Sequence, residues 1–275
     1  MCRLLDVSSS GFYAWRDRPR SKRSIANEEL VSEIREIHQR SRGTYGSPRI
    51  CAELRARGRA VSENRVARLM RENGVSARFK RRWRRTTDSK HTLPVAPNTL
   101  DRNFEIEAPN KVWVTDITYI WTLEGWLYLA VVEDLFSRRI VGWSMADHMR
   151  TELVLGALDM AIGNRLPEGE LLHHSDRGSQ YASFTYQKRL EERGLACSMS
   201  RRANCLDNAV AESFFGTLKH ELVHRQTWIS RDQARAAIHE YIEIFYNRWR
   251  RHSTLGQVCP AEFERNYNQE AAEAA

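Results

Sequence analysis

Three acidic side chains stand where a carboxylate can do more than keep a surface wet. Asp116 lies inside the apolar, β-branched run Val112-Trp113-Val114-Thr115-Asp116-Ile117-Thr118-Tyr119-Ile120, which reads as a strand. A carboxylate in mid-strand carries a large desolvation cost that a metal ion would offset; a buried hydrogen-bonded aspartate is the plain alternative. Asp176 closes a short strand in His173-His174-Ser175-Asp176-Arg177-Gly178, where Asp-Arg-Gly also suits an ordinary turn. Glu212, with 35 residues between it and Asp176, sits on a helix that begins near Asp207. At about 100° per residue, Val210, Ala211, Phe214, Phe215, Leu218 and Leu222 form one arc of that helix. Asn208, Glu212 and Lys219 line the border of the arc, as ordinary boundary polars also would. Taken together, the acids give two or three carboxylates convergent at one sheet edge. Oxygen-only donors of this kind select hard cations, Mg2+ or Mn2+. Such sites hold two ions about 3.5–4 Å apart, one activating a nucleophile and the other stabilising the leaving oxygen.

The elements that must position these acids can be read from period and punctuation. After Pro109 the texture turns β-branched and aromatic. Apolar runs at 112–120, 126–132 and 138–145 predict three strands joined by turns at Glu124-Gly125 and 134–137. A helix over 151–163, a strand over 171–174, a helix over 183–193 and a strand over 197–200 follow. The order βββαβαβα is that of an α/β sheet layered with helices.

The first third differs. Residues 1–100 hold 23 Lys+Arg against 10 Asp+Glu, and residues 101–275 hold 20 against 25. A basic region on a mildly acidic remainder implies that one part grips a polyanion while the other does something else. Residues 1–23 read as the end of a helical unit and finish in a basic run. Helices are predicted over 27–39, from Pro48 to about Arg57, and from the cap residue Ser62 to Gly74. The last two, rich in arginine and joined by a short turn, have the helix-turn-helix outline. Arg65, Arg68 and Arg71 are its candidate DNA contacts, against the plainer reading of a solvated basic face. Arg78-Phe79-Lys80-Arg81-Arg82-Trp83-Arg84-Arg85 suits phosphate contact with base stacking, so Lys80, Arg81, Arg82, Arg84 and Arg85 join them. The Pro-containing stretch 86–109 reads as a linker.

Other chemistry is disfavoured. Five scattered cysteines make neither a disulfide framework nor a zinc module. The chain has no run long enough to span a membrane, no secretory signal and no Gly-rich phosphate loop, so a cytoplasmic protein without a nucleotide cofactor is expected. His173 and His174 are expected one in the sheet and one at its rim, Asp134 in a structural turn, and Trp113, Trp121, Trp126 and Trp143 in packing.

The segments Trp113–Ile120, His174–Tyr181 and Asp207–Phe215 closely resemble the DDE transposases of the IS-three insertion-sequence family. So do Tyr246-Asn247-Arg248, Arg251-His252-Ser253-Thr254-Leu255-Gly256 and Pro260. The similarity is to the second-reading-frame product, whose core is like retroviral integrase, and it covers nearly the whole chain. Gln257 departs from the family's usual aromatic residue. The resemblance implies a ribonuclease-H-like catalytic core with a mixed five-stranded sheet, preceded by an all-α helix-turn-helix region. It divides the chain into 1–23, a helix-turn-helix domain over 24–77, a basic linker over 78–107, the core with C-terminal helices over 108–266, and a tail. It implies Asp116, Asp176 and Glu212 as catalytic, metal-holding acids with two Mg2+ or Mn2+ ions, and Lys219, with Asn208, near DNA. The expected partners are terminal inverted repeats, target DNA, further copies of the chain on DNA, and an upstream-frame protein joined by frameshifting. The expected reaction is cleavage followed by strand transfer. A ribonuclease-H-like nuclease that does not join, and an idle DNA-binding regulator, are the alternatives.

Overall fold

The computed structural model describes residues 2, 4–78, 96–100, 106–200 and 209–274. They fall into two compact units, divided between residues 79 and 80.

The first unit is helical. α1 (Ser9–Arg16) is capped by Ser8, whose side chain accepts the Gly11 N–H at 3.0 Å. α2 (Lys22–Arg40) starts five residues earlier than its apolar period suggests, because Ser21 caps it by accepting the Ser24 N–H. Leu30, Ile34 and Ile37, spaced at four and three, form its buried stripe. α3 (Ser47–Ala56) carries Pro48 in its first turn, and α4 (Glu63–Glu72) follows the Ser62 cap. These two helices pack on each other and on α2 through Ile50, Leu54, Val66 and Leu69. They are the helix-turn-helix pair, linked by residues 57–62.

The second unit is built on a five-stranded mixed sheet. β1 (Val112–Thr122), β2 (Gly125–Asp134) and β3 (Ile140–Ala146) form an antiparallel meander. β4 (Leu171–Ser175) and β5 (Leu195–Met199) run parallel to β1, giving the order β3-β2-β1-β4-β5. This is the ribonuclease-H-like arrangement. β1 reaches Thr122, beyond the predicted end, because its ladder with β2 continues to Thr122 opposite Gly125. β5 starts two residues early: Gly194, at φ +66°, makes the reversal that releases the chain directly into the strand.

Alternation along the strands sorts two cores. Trp113, Ala130 and Val132 face α5 (Thr151–Arg165) and α6 (Phe184–Glu192). Ile120, Leu127, Leu129 and Val131 face α7 (Ala209–Glu221), α8 (Arg231–Glu240) and the π-helical turn Tyr241–Tyr246. α5 lies so close to β3 that a Cβ on Gly142 would stand 2.2 Å from the Ala157 carbonyl oxygen. α9 (Pro260–Glu273) is held by Glu264, which accepts from Ser137 Oγ at 2.7 Å and pairs with Arg139 and Arg165. Asn247 acts as one more rung of the sheet, exchanging both its amide bonds with the Ile140 backbone at 3.0 and 2.9 Å. Among the described residues, no helix is long and apolar enough to cross a membrane.

Candidate active site

Register brings the first two acids together. β1 and β4 run parallel with Val112 opposite Leu172 and Val114 opposite His174. Carried two residues past that ladder, the alignment points Asp116 toward Asp176, just past the end of β4, and the charge of Asp176 reaches Asp116. In a parallel pair, aligned residues share a face. That face holds Val112, Val114 and Leu172, and against them pack Val210 and Ala211 from the first turn of α7. Glu212 is the next residue along, exposed at the rim of that packing.

Both aspartates are half-buried and locally oriented. Asp116 Oδ1 accepts the Ile117 N–H at 2.8 Å, and Asp176 Oδ1 accepts the Gly178 N–H at 2.8 Å, the turn that carries the chain away from β4. Loss of water pushes the Asp116 carboxyl well above the ordinary carboxylate range. The negative charges of Asp176 and Glu212 push it further, while the Ile117 N–H and the Lys219 ammonium oppose them. Asp116 therefore senses the charges of both other acids. Among the described residues, however, no three His, Cys, Asp or Glu side chains meet closely enough to hold one metal ion between them.

Lys219 lies seven residues after Glu212, two turns further along α7 and about 10 Å on by helix rise. Its half-buried ammonium stands 5.1 Å from the centre of the Tyr119 ring. Burial lowers its pKa, and Asp116 counteracts that shift. Tyr181 was not singled out in the sequence, yet its buried hydroxyl lies 3.2 Å from Thr115 Oγ1 and close enough to feel both aspartates.

Several sequence-level expectations need correction. Neither histidine is at the rim; His173 and His174 are both fully buried in β4. His174 sits between Ser198 Oγ and Ser200 Oγ at 2.8 and 3.1 Å. His173 meets the Tyr186 hydroxyl at 3.0 Å, and burial together with His174 takes its pKa down to about 3, so it stays neutral. Trp113 is buried, but Trp121 and Trp126 project from the sheet.

Asp134, buried at the end of β2, accepts from Asn110, Phe136 and Ser137, as a structural turn carboxylate should. In the helix-turn-helix, Arg65 is tied to Asn27 Oδ1 at 2.7 Å and Arg68 to Glu72 at 2.8 Å, while Arg71 is exposed. Asn208, Lys80, Arg81, Arg82, Arg84 and Arg85 lie outside the described residues.

Comparison with known proteins supplies the family. Residues 26–83 match an HTH-like domain, and residues 106–205 and 212–267 match two integrase core domain models. The Insertion element IS600 uncharacterized 31 kDa protein of Shigella sonnei is 48% identical over 272 residues, 99% of this chain and 100% of that protein. Transposase InsF for insertion sequence IS3A of Escherichia coli (strain K12) is 43% identical over 266 residues, 96% of this chain and 92% of that protein. Among solved structures, the simian T-cell lymphotropic virus intasome in complex with PP2A regulatory subunit B56 gamma aligns at TM-score 0.48 and 15% identity, over 84% of this chain and 74% of that one. The catalytic domain of Mos1 mariner transposase aligns at 0.43 and 12%, over 49% and 71%. Its identity to these relatives over nearly its full length, with HTH-like and integrase-core modules in one chain, makes it a member of the IS3 family of DNA transposases.

Proposed function

We propose that Asp116, Asp176 and Glu212 are the acids at which this transposase cuts DNA and joins the resulting 3′-hydroxyl to a new phosphodiester. The observation that carries this reading is the β1–β4 register, which, carried two residues past its ladder, points Asp116 toward Asp176, with the first turn of the glutamate-bearing helix packed on the same face. The donor chemistry fits divalent cations. The desolvated Asp116 carboxyl feels the negative charges of Asp176 and Glu212, and Lys219 is the cation that counters them there. Asp116, Asp176 and Glu212 are the residues that would hold such cations. When bound there, Mg2+ or Mn2+ supplies charge neutralisation at the attacking and leaving oxygens.

The chain's own residues position the reactants. The backbone N–H groups of Ile117 and Gly178 orient the two aspartates before substrate arrives, so little reorganisation is left for the reaction itself. Lys219 offers an ammonium two helical turns from Glu212, where it can neutralise a phosphate beside the reacting one. We assign residues 24–77 to a DNA-gripping helix-turn-helix domain, 78–107 to a basic linker and 108–266 to the catalytic core. Joining two ends of an element requires both in one complex, so the active form is a homo-oligomer on terminal inverted repeats and target DNA.

The test is a strand-transfer reaction with the purified chain, Mg2+ and a pre-cleaved end of its own element. Asp116→Asn, Asp176→Asn and Glu212→Gln are each expected to lower joining by at least about 10²-fold. Nicking without joining by the unaltered chain would leave a plain nuclease. Joining that survives Asp176→Asn would end the assignment.

A further inference from the structure

The tip of the β1–β2 hairpin carries aromatic surface that the acid site does not use. Tyr119, Trp121 and Trp126 are 44%, 55% and 42% exposed. Tyr119 and Trp121 alternate onto one face of β1, and Trp126 is the register partner of Trp121 across the hairpin. The Trp126 ring is the middle member, 5.0 Å from Tyr119 and 4.8 Å from Trp121 between centroids, edge-on to both. Three rings locked in this way lose little further freedom when something stacks on them. Exposed Leu123 and Ile229 extend the apolar surface.

Charge and position identify the occupant. The Lys219 ammonium stands over Tyr119, and Arg231 is anchored at the hairpin, its Nε donating to the Trp126 carbonyl at 3.0 Å and its backbone N–H to Glu124. Tyr119 and Trp121 stand on the face of β1 opposite Asp116, and the two faces meet at the strand's edge beyond Val114, where among the described residues β4 no longer pairs with it and where Lys219 acts on both Asp116 and Tyr119. At about 3.3 Å per residue, Tyr119 and Trp121 lie about 10 and 16 Å beyond Asp116. That is the length of about three to five stacked nucleotides. Cations next to flat apolar rings suit a polyanion whose monomers have π faces. Bases inside a duplex have those faces covered, so an unpaired stretch is the matching form.

We propose that Tyr119, Trp121 and Trp126 form a stacking platform for unpaired bases, three to five nucleotides from the phosphate at the acid site, with Lys219 and Arg231 on the adjoining phosphates. The proposal rests on the reading of Asp116 as a reacting acid. It deepens that reading by assigning the strand form of DNA that the site takes.

The experiment uses the full chain and two duplexes of equal paired length, one blunt and one with a five-nucleotide single-stranded end bearing 2-aminopurine at single positions. An Asp116→Asn background stops chemistry. The overhang is expected to bind more tightly than the blunt end, with 2-aminopurine quenched at positions three to five. Trp121→Ala should weaken overhang binding roughly five- to hundred-fold, so that the two duplexes bind alike, and Trp121→Phe should retain most of the preference. Trp121→Gln replaces the alanine variant if that one does not fold. Preference and quenching that survive loss of the indole overturn the platform. So does a Trp121→Ala variant whose self-association drops in sedimentation while its overhang preference stays, because the surface then seats a second copy. Strand transfer that persists in Asp116→Asn would overturn the acid assignment instead, and leaves the overhang measurement readable by itself.

Discussion

Asp116 and Glu133 are carboxylates on neighbouring strands, and both are driven toward the protonated form by loss of water. Asp116 faces two more acids and is the one that a bound cation would relieve. Glu133 is fully buried, and its Oε2 has no hydrogen-bond partner among the described residues. Burial pushes its pKa up to about 8, with Arg138 opposing and Asp134 adding to the shift. The native state then holds this proton more tightly than the unfolded chain does. The stability it contributes is complete below about pH 4.5 and is lost as pH rises through about 8. Glu133→Gln, neutral throughout, should match the parent protein near pH 4 and exceed it by a few kcal/mol at pH 9. Denaturant melts at the two pH values would show this, and parallel stability curves would refute it. Asp116→Asn is expected to raise Tm by about 2–4 °C in metal-free buffer, a gain of about 1 kcal/mol, while abolishing joining. Asp116 was legible because it interrupts an apolar run. Nothing in the sequence marked Glu133 or Tyr181, whose surroundings come from distant strands.

Among the elements, α7 matters most, because it carries Glu212 and Lys219. Its far end is fastened by a buried pair: Arg250 contacts both oxygens of Glu221 at 2.8–3.1 Å, and the Tyr241 hydroxyl donates to the same carboxylate at 2.8 Å. Arg250→Met would strand that buried charge and should destabilise the protein by about 3–5 kcal/mol, with Glu221→Met added to it recovering most of the loss. Calorimetry on the single and double variants would decide, and strictly additive losses would count against the pairing. Gly142→Ala is expected to lower stability by about 1–3 kcal/mol, because the added methyl meets α5 backbone that cannot move aside cheaply. The strands and α7 could be read from period, since each has one consistent apolar face. The π-helical turn and the docking of α9 through Glu264 could not. Both depend on partners more than a hundred residues away or on hydrogen bonds that no local period encodes.

For the whole molecule, the uneven charge finds a physical counterpart in two separate compact units. Duplex affinity should fall steeply with salt, and Lys219→Gln should lower the slope of log K against log salt by about one, the signature of a single phosphate contact. An unchanged slope would place Lys219 away from the backbone of DNA. The family assignment itself spans both units, because the relatives match across the entire chain.

The sequence by itself determined the family, the helix-turn-helix outline and the run of strands, and it marked the three acids as candidates, because these are written in local residue types and short spacings. Tertiary structure decided which acids are neighbours, since parallel register is a property of two strands more than fifty residues apart. It also decided which tryptophans are covered. An aromatic in a strand has the same local pattern whether or not a core covers it, and only the packed fold separates buried Trp113 from exposed Trp121.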